Sequence, residues 1–330
     1  MKKSVRSVLA TVVVGAVALV GCSSSSDSAG SSSSGGTGGD SYSIGINQLV
    51  QHPALDAAAK GFKEAFEEAG VEVDWDEQNA NGEQGTAVQI AQQMAGKKHD
   101  LDLAIATPAG QAMAQAIKDT PILFTAVTDP VAADLVKSLD APGGNITGTS
   151  DIAPIEKQVE LLQKLVPDAK SIGVVYASGE VNSQVQVDEL KKVAEPLGLE
   201  VKTQTVTTVQ DIPQATEALG DVDTIYVPTD NMVVSGIASL VKVANDKKIP
   251  VIAAESGTVE GGAAATLGID YEALGKQTGE MALRILRDGA DPASTPVEIA
   301  EDYTYVVNDE AVKAQGIKIP QEILDQAEHV

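Results

Sequence analysis

Several apolar runs in this chain end on residues suited to holding a charged small molecule. The clearest is 224–231, TIYVPTDN: Ile225, Tyr226 and Val227 stop at Pro228 and deliver Thr229, Asp230 and Asn231. A helical pattern follows at once (Val233, Ile237, Leu240, Val241, Ala244). Buried parallel strands read as continuous apolar runs, and open α/β sheets place ligands at the strands' carboxyl ends. An acid there can hold a cation such as the ammonium of an amino acid; Asp or Asn at that point also caps the next helix. Thr107-Pro108 after 101–106 repeats the pattern, with Thr107 at the expected N-cap and Pro108 at the first helical position. The N–H groups of Ala109 and Gly110, with the Thr107 hydroxyl, form an expected carboxylate site. Thr128-Asp129-Pro130 after 121–126 adds Thr128. Asn182-Ser183 follows Tyr176 to Glu180, where Asn182 is either an N-cap or a cleft residue, and Glu255-Ser256 ends 250–254.

Catalysis lacks its usual signatures. There is no G-x-S-x-G elbow, H-E-x-x-H, P-loop or G-x-G-x-x-G. Three scattered histidines and one cysteine supply neither a nucleophile–base pair nor a zinc cluster. His99 and His329 read as solvent-exposed. No enzyme activity, metal or cofactor is expected.

The elements that must position these residues alternate. Strands are expected at 42–47, 71–75, 101–106 and 121–126, with helices at 55–69, 85–96 and 109–117 between them. After a break at Pro142-Gly143-Gly144-Asn145 and the segment 146–150 the pattern restarts. Helices are expected at 154–165, 183–197, about 212–219, after Asn231 to Lys247, and 271–287. Strands are expected at 171–176, 200–205, 224–227, 250–254 and 263–269. Repeated βα units imply an α/β fold of two doubly wound, Rossmann-like lobes with parallel sheets and a ligand cleft between them. Trp75, between Asp74 and Asp76, reads as partial packing.

The N-terminus indicates an envelope location. Lys2, Lys3 and Arg6 precede the uncharged apolar run 8–21, which is too short to span a bilayer and reads as the h-region of a signal peptide, 1–21. It ends in Leu19-Val20-Gly21-Cys22, which resembles a bacterial lipobox with Cys22 as the lipidated first mature residue. Cys22 is the only cysteine, so no disulfide forms within the chain. The Ser/Gly-rich stretch to 41 is a tether with a mean reach of about 25 Å.

Lys plus Arg total 23 against 47 Asp plus Glu, a net charge of −24 at pH 7. Such a surface repels nucleic acid and anionic lipid. The arginines are Arg6, Arg284 and Arg287, and the last two share a helix, so no guanidinium clamp for an anion is expected.

The segments INQLVQHPALD (46–56), IATPAGQ (105–111), LFTAVTDPVAADLVKSL (123–139), PGGNITGTSD (142–151), YVPTDN (226–231) and LGIDYEALGKQTGEMALRIL (267–286) are similar to solute-binding lipoproteins of ABC importers. They most resemble the subgroup associated with tryptophan, tyrosine or other aromatic amino acids, in collinear order over nearly all of 42–330. The resemblance implies a type I periplasmic-binding fold with three crossovers, near 147–150, 268–270 and 300–303. It places 42–147 plus about 269–299 in lobe 1, and 148–268 plus about 300–330 in lobe 2. It also implies cleft roles for Gln48 and His52, since family members carry His-Pro at the latter; alone, His52 would read as solvated or capping. Thr149, Ser150 and Asp151 fall at a crossover, where a cleft, hinge or capping role is open.

The expected function is therefore capture of an amino acid, of the aromatic class by resemblance, for delivery to an ABC permease by a monomer anchored outside the membrane through Cys22. Its expected ligand set is Gln48, His52, Thr107, Ala109, Thr128, Thr149, Ser150, Asn182, Ser183, Asp230, Asn231 and Glu255. A sugar or nucleoside cargo, or service to a membrane sensor, is the alternative. Aromatics at 3% of residues, few of them at strand ends, argue against sugar stacking.

Overall fold

The computed structural model describes residues 41–300 and 303–330. Cys22, the leader and the tether expected before residue 41 lie outside the described residues.

Two sheets are built in succession. The first contains β1 (Ser41–Gln48), β2 (Glu72–Asn79), β3 (Leu101–Ile105), β4 (Ile122–Thr125) and β5 (Ile146–Ser150), connected by α1 (Pro53–Glu68), α2 (Gln84–Ala95) and α3 (Thr107–Ala116). The second lobe follows with α4 (Ile155–Leu165), β6 (Ser171–Ala177), α5 (Val181–Ala194), β7 (Glu200–Val206), α6 (Ile212–Ala218) and β8 (Thr224–Val227). It continues through α7 (Asn231–Ser235), α8 (Ile237–Lys247), β9 (Val251–Ala253), α9 (Ser256–Glu260) and β10 (Ala265–Gly268). The chain then returns to the first lobe as α10 (Tyr271–Asp288) and β11 (Glu298–Ile299). It ends in the second with β12 (Thr304–Val307), α11 (Asp309–Gln315), α12 (Gln321–Leu324) and β13 (Glu328–His329).

The first sheet has the order β11-β5-β4-β3-β1-β2 and every pairing in it is parallel. The second runs β13-β12-β10-β9-β8-β6-β7, and only β10 with β12 is antiparallel. These are the two doubly wound lobes expected. Burial on both sheet faces explains why the central strands carry no polar alternation. On β6, Ile172, Val174 and Tyr176 enter one core while Val175 and Ala177 enter the core on the opposite face.

β5 extends to Ser150 within the first sheet, so the 147/148 boundary expected from sequence falls inside a strand and the chain leaves the lobe after Ser150. The helix expected without interruption from Asn231 to Lys247 is broken at Gly236, where a Cβ would lie 2.6 Å from Ile212 Cδ1.

α10 is fixed on the first lobe by glycines. A Cβ at Gly61 would lie 1.9 Å from Glu272 O, one at Gly275 2.0 Å from Ala58 O, and one at Gly279 2.6 Å from Phe62 O. Bare backbone at these positions lets α1 and α10 approach closely. Trp75 packs edge-on against Phe66, ring centroids 5.5 Å apart. His99 is not solvent-exposed: its side chain is 4% accessible, with Nδ1 2.7 Å from Asp102 Oδ1 and Nε2 3.4 Å from Asp76. Burial pushes the Asp102 carboxyl up to about 6 despite that contact. Asp102, three residues on, and Asp76, from β2, hold the ring inward.

Candidate ligand-binding cleft

The carboxyl ends of both sheets face one cleft, and the lobes touch across it. Gln84 Nε2 donates to the Gly179 carbonyl at 2.9 Å, and the Thr128 and Thr229 hydroxyls are 3.1 Å apart. Gln186, on α5, donates to Thr128 Oγ1 (3.4 Å) and to the Thr229 hydroxyl, and accepts from Thr229 N–H (3.2 Å). The α1 start abuts α9, with a Cβ at Gly257 falling 3.1 Å from Pro53 Cβ.

Four buried carboxylates line this region. Asp151, just past β5, accepts from the Thr128 hydroxyl (2.9 Å) and from Tyr271 O–H (2.7 Å) at the start of α10. Asp230 caps α7 through Val233 N–H (2.8 Å), while its other oxygen accepts from Ala177 N–H (2.6 Å) and Ser183 O–H (2.7 Å). Glu255 caps α9, accepting from Gly257 N–H (2.7 Å), Thr258 N–H (2.6 Å) and the Thr258 hydroxyl. Glu180, at the N-cap position of α5, accepts from Asn182 Nδ2 (3.0 Å), Asn231 N–H (3.1 Å) and Nδ2 (2.6 Å), and Met232 N–H (3.1 Å). Burial raises the pKa of all four; Glu180, with Asp230 as a like-charged neighbour, is pushed up to about 7. The hydrogen bonds oppose the shift by favouring the ionised form.

Three cavities map the cleft. A small one of about 10 Å³ is lined by His52, Asp151, Thr229, Asp230, Asn231, Glu255 and Tyr271, with Ala126 and Leu55 among the apolar walls. Two larger ones, about 300 and 280 Å³, open beside it between Leu49 and Gly82–Glu83 of the first lobe and Glu180, Thr207 and Met232 of the second. Asn231 borders both the small cavity and one larger one. No Lys or Arg lines any of the three. Arg284 pairs with Glu298, and Arg287 reaches the Ala69 carbonyl at 3.5 Å, so both guanidiniums are engaged on α10.

His52 is 9% exposed, and neither ring nitrogen has a hydrogen-bond partner. Burial holds the imidazole neutral, its pKa lowered to about 4; the nearby Asn231 amide and Asp56 raise it only in part. An unmade bond at a buried polar atom costs about 1–3 kcal/mol. Thr107 Oγ1 and Asn182 Oδ1 are buried and unpartnered as well. Backbone strain gathers at the same strand ends: Ala106 after β3 has φ 82° and Ala126 after β4 has φ 55°, a region costly for residues with a Cβ.

The structure brings His52, Asp230, Asn231 and Glu255 to one cavity and seats Ser183 and Asn182 directly behind them. Thr128 joins the lobes. Gln48 lies outside, donating to Val50 O (2.9 Å) and Asp56 (2.7 Å). Thr149 faces the interior of lobe 1, bonded to Thr125 (3.1 Å) and Thr278 (2.7 Å), because its position on β5 points it under α10. Ser150 braces the crossover, donating to Thr128 O (2.9 Å) and accepting from Ile152 N–H (3.2 Å). The expected carboxylate site is altered: α3 begins at Thr107 with Ala106 as its cap, and Gly110 N–H is already bonded to Ala106 O (3.0 Å). Ala109 is fully buried in the lobe-1 core. Asn182 is the second residue of α5 rather than its cap. Glu180, Gln186, Tyr271 and Met232 were not singled out from sequence. Only Glu180, an acid at a strand-to-helix turn, carried a signal of the kind used for Asp230.

Residues 43–330 match the family of ABC transporter substrate binding proteins. A tyrosine-binding protein of Clostridioides difficile (strain R20291) is 44% identical over 318 residues, 94% of this chain and 92% of the relative. An ABC domain from Streptococcus pneumoniae, solved in complex with L-Trp, is 39% identical with a TM-score of 0.84, covering 88% of this chain and 100% of that one. The ligand-free, open structure of a substrate-binding protein with adhesive properties from Clostridium difficile is 47% identical, yet its TM-score is 0.68 over 88% and 99% of the two chains. Higher identity with lower overlap accords with the cross-lobe hydrogen bonds: the lobes here are closed. With a whole-domain match, two doubly wound lobes and a cleft at their strand ends, the chain belongs to the ABC transporter substrate-binding protein family, extracytoplasmic proteins that carry a small-molecule ligand to an ABC transporter.

Proposed function

We propose that the cleft captures an aromatic amino acid, tyrosine or tryptophan, and that the protein does so as a monomer held at the membrane by a lipid on Cys22. The observation that carries the reading is the set of buried carboxylates, Asp151, Glu180, Asp230 and Glu255, gathered beside three cavities that no Lys or Arg lines. Buried charge of one sign calls for a counter-charge, and an α-ammonium supplies it. Leu49, Val206 and Met232, with the bare backbone of Gly82 and Gly85, offer the larger cavities an apolar wall for a ring. A thioether beside an aromatic edge adds favourable contact. The tyrosine and L-Trp named for the two relatives support the same class. The cleft itself supplies capture and release rather than a reaction.

Calorimetry on the ligand-stripped, refolded protein against all common amino acids, with sugars and nucleosides as controls, tests this. One-to-one binding confined to aromatic amino acids is expected. Silence from every amino acid beside a response to a sugar or nucleoside refutes it.

A further inference from the structure

We propose that Met232 is an oxidation-sensitive site in the wall of the cleft: its thioether takes up an oxygen atom from a peroxide, and the sulfoxide so formed weakens capture of an aromatic ligand. The binding half of this proposal rests on the aromatic amino-acid reading above; the site of oxidation does not.

Three observations converge on that sulfur. The first is access. Of the five methionines, Met94, Met113 and Met281 are at most 1% exposed, Met1 lies outside the described residues, and Met232 is partly exposed. No cysteine lies among the described residues to react ahead of it. The second is place. Met232 lines both larger cavities, with Leu49 and Glu83 of lobe 1 opposite and Glu180 of lobe 2 beside it, while it packs by another flank on the lobe-2 core. The third is what surrounds the thioether. Leu49 and Val206 make the wall apolar, and the Glu180 carboxylate, which accepts the Met232 N–H at 3.1 Å, presents an acceptor rather than a donor. A thioether fits such a wall; a sulfoxide replaces apolar contact with an acceptor dipole set beside a carboxylate.

The step balances with the peroxide as sole co-reactant. A sulfur lone pair attacks one peroxide oxygen, the O–O bond breaks as the S–O bond forms, and after proton transfer the second oxygen leaves as water. Sulfur is oxidised by two electrons and the peroxide is reduced by two. An extracytoplasmic protein stands outside the thiol reductants of the cytosol. Access also depends on the state of the cleft. Leu49 and Glu83 belong to the opposite lobe, so the sulfur is most open when the lobes are apart and is shielded when a ligand fills the cavities between them. Peroxide thus marks empty receptors in preference to loaded ones.

The test exposes the full chain to a small molar excess of hydrogen peroxide and locates the added oxygen by peptide mass spectrometry. Met232 is expected to oxidise well ahead of Met94, Met113 and Met281, and saturating L-tyrosine or L-tryptophan, whichever binds, should slow it several-fold. Calorimetry on the singly oxidised protein should show that amino acid bound roughly 10-fold more weakly, within the range for burying a polar group without a partner. Methionine sulfoxide reductases, one for each sulfoxide epimer, should restore the affinity. Met232→Leu, whatever its own affinity, should lose none on the same treatment. Oxidation of the buried methionines as fast as Met232, or no protection by bound amino acid, overturns the proposal. So does an oxidised protein that binds as tightly as the untreated one, or an equal loss in peroxide-treated Met232→Leu, which would place the damage elsewhere. Failure of both amino acids to bind removes the aromatic reading, and the binding half of this proposal with it, whereas the order of oxidation stands or falls on the mapping alone.

Discussion

Adding one methyl group to a helical glycine has opposite signs at the α1–α10 crossing and at the start of α2. At Gly275 an added Cβ would sit 2.0 Å from Ala58 O and 2.7 Å from Ala58 C, both backbone atoms of a rigid helix. A Cβ tolerates nothing nearer than about 3.0 Å, so the helices must part by roughly 1 Å along a seam that also holds Gly61, Phe62 and Gly279. Overpacking of this kind costs about 1–3 kcal/mol, and backbone on both sides puts Gly275→Ala at the upper end. Better helix propensity returns about 1 kcal/mol, leaving a net loss of about 2 kcal/mol. At about 2–4 °C per kcal/mol for a domain of this size, Tm should fall by roughly 4–8 °C. Gly85→Ala, in the first turn of α2 with nothing within 4 Å, should instead be neutral or stabilise by up to about 1 kcal/mol. Thermal and urea unfolding of the ligand-free protein read both. A Gly275→Ala protein as stable as the parent would refute the claim that close backbone approach fixes α10.

Stability without ligand should fall as pH rises from about 4.5 to 7. Glu180 moves from 4.5 to about 7 and Asp102 from 3.8 to about 6, so the folded state binds these protons more tightly than the unfolded chain, and their contribution is lost across that window. His52, lowered to about 4, acts in the opposite sense between about 4 and 6.5 but is one group against two. Urea midpoints at pH 5 and 7.5 decide it; a higher midpoint at pH 7.5 would mean that the buried carboxyls remain ionised. Thr229→Val removes the hydroxyl that meets Thr128 across the cleft and Gln186 within lobe 2. Each such bond contributes about 0.5–1.5 kcal/mol, so ligand affinity should weaken roughly 3- to 10-fold with little change in Tm, and unchanged affinity would show that the contact does not bias closure.

Strand and helix order was legible because buried parallel strands leave unbroken apolar runs such as Ile225-Tyr226-Val227, and no tertiary contact is needed to see them. The strand ends followed for the same reason, and with them Asp230, Asn231 and Glu255. Side-chain direction within a strand was not legible. Thr149 and Ser150 are adjacent, but the pleat sends one under α10 and the other toward Thr128. His99 lies among charged residues in sequence, yet its partners come from β2 and β3. Asp230 shows a further limit: the carboxylate that lines the small cavity is also the cap of α7. Asp230→Ala would strip acceptors from Ala177, Ser183 and Val233, so it disturbs lobe 2 before it reports on any ligand.

That double use bears on how the cleft closes. Asp230 and Glu255 are fixed by donors of lobe 2, and Asp151 by Thr128 and Tyr271 on the lobe-1 side, so each acid is set in place within its own half before the lobes meet. Direct cross-lobe contacts are neutral hydroxyls and amides, Thr128 with Thr229 and Gln186, and Gln84 with Gly179. A few bonds of about 1 kcal/mol each leave open and closed forms near balance, and a ligand shifts that balance only by its differential affinity for the two. A cationic group held between Asp151 on one side and Asp230 and Glu255 on the other supplies such a difference, because some of its partners are missing when the lobes are apart. The buried negative charge is thus uncompensated until the ligand arrives, and closure becomes most favourable when the ligand brings the missing positive charge.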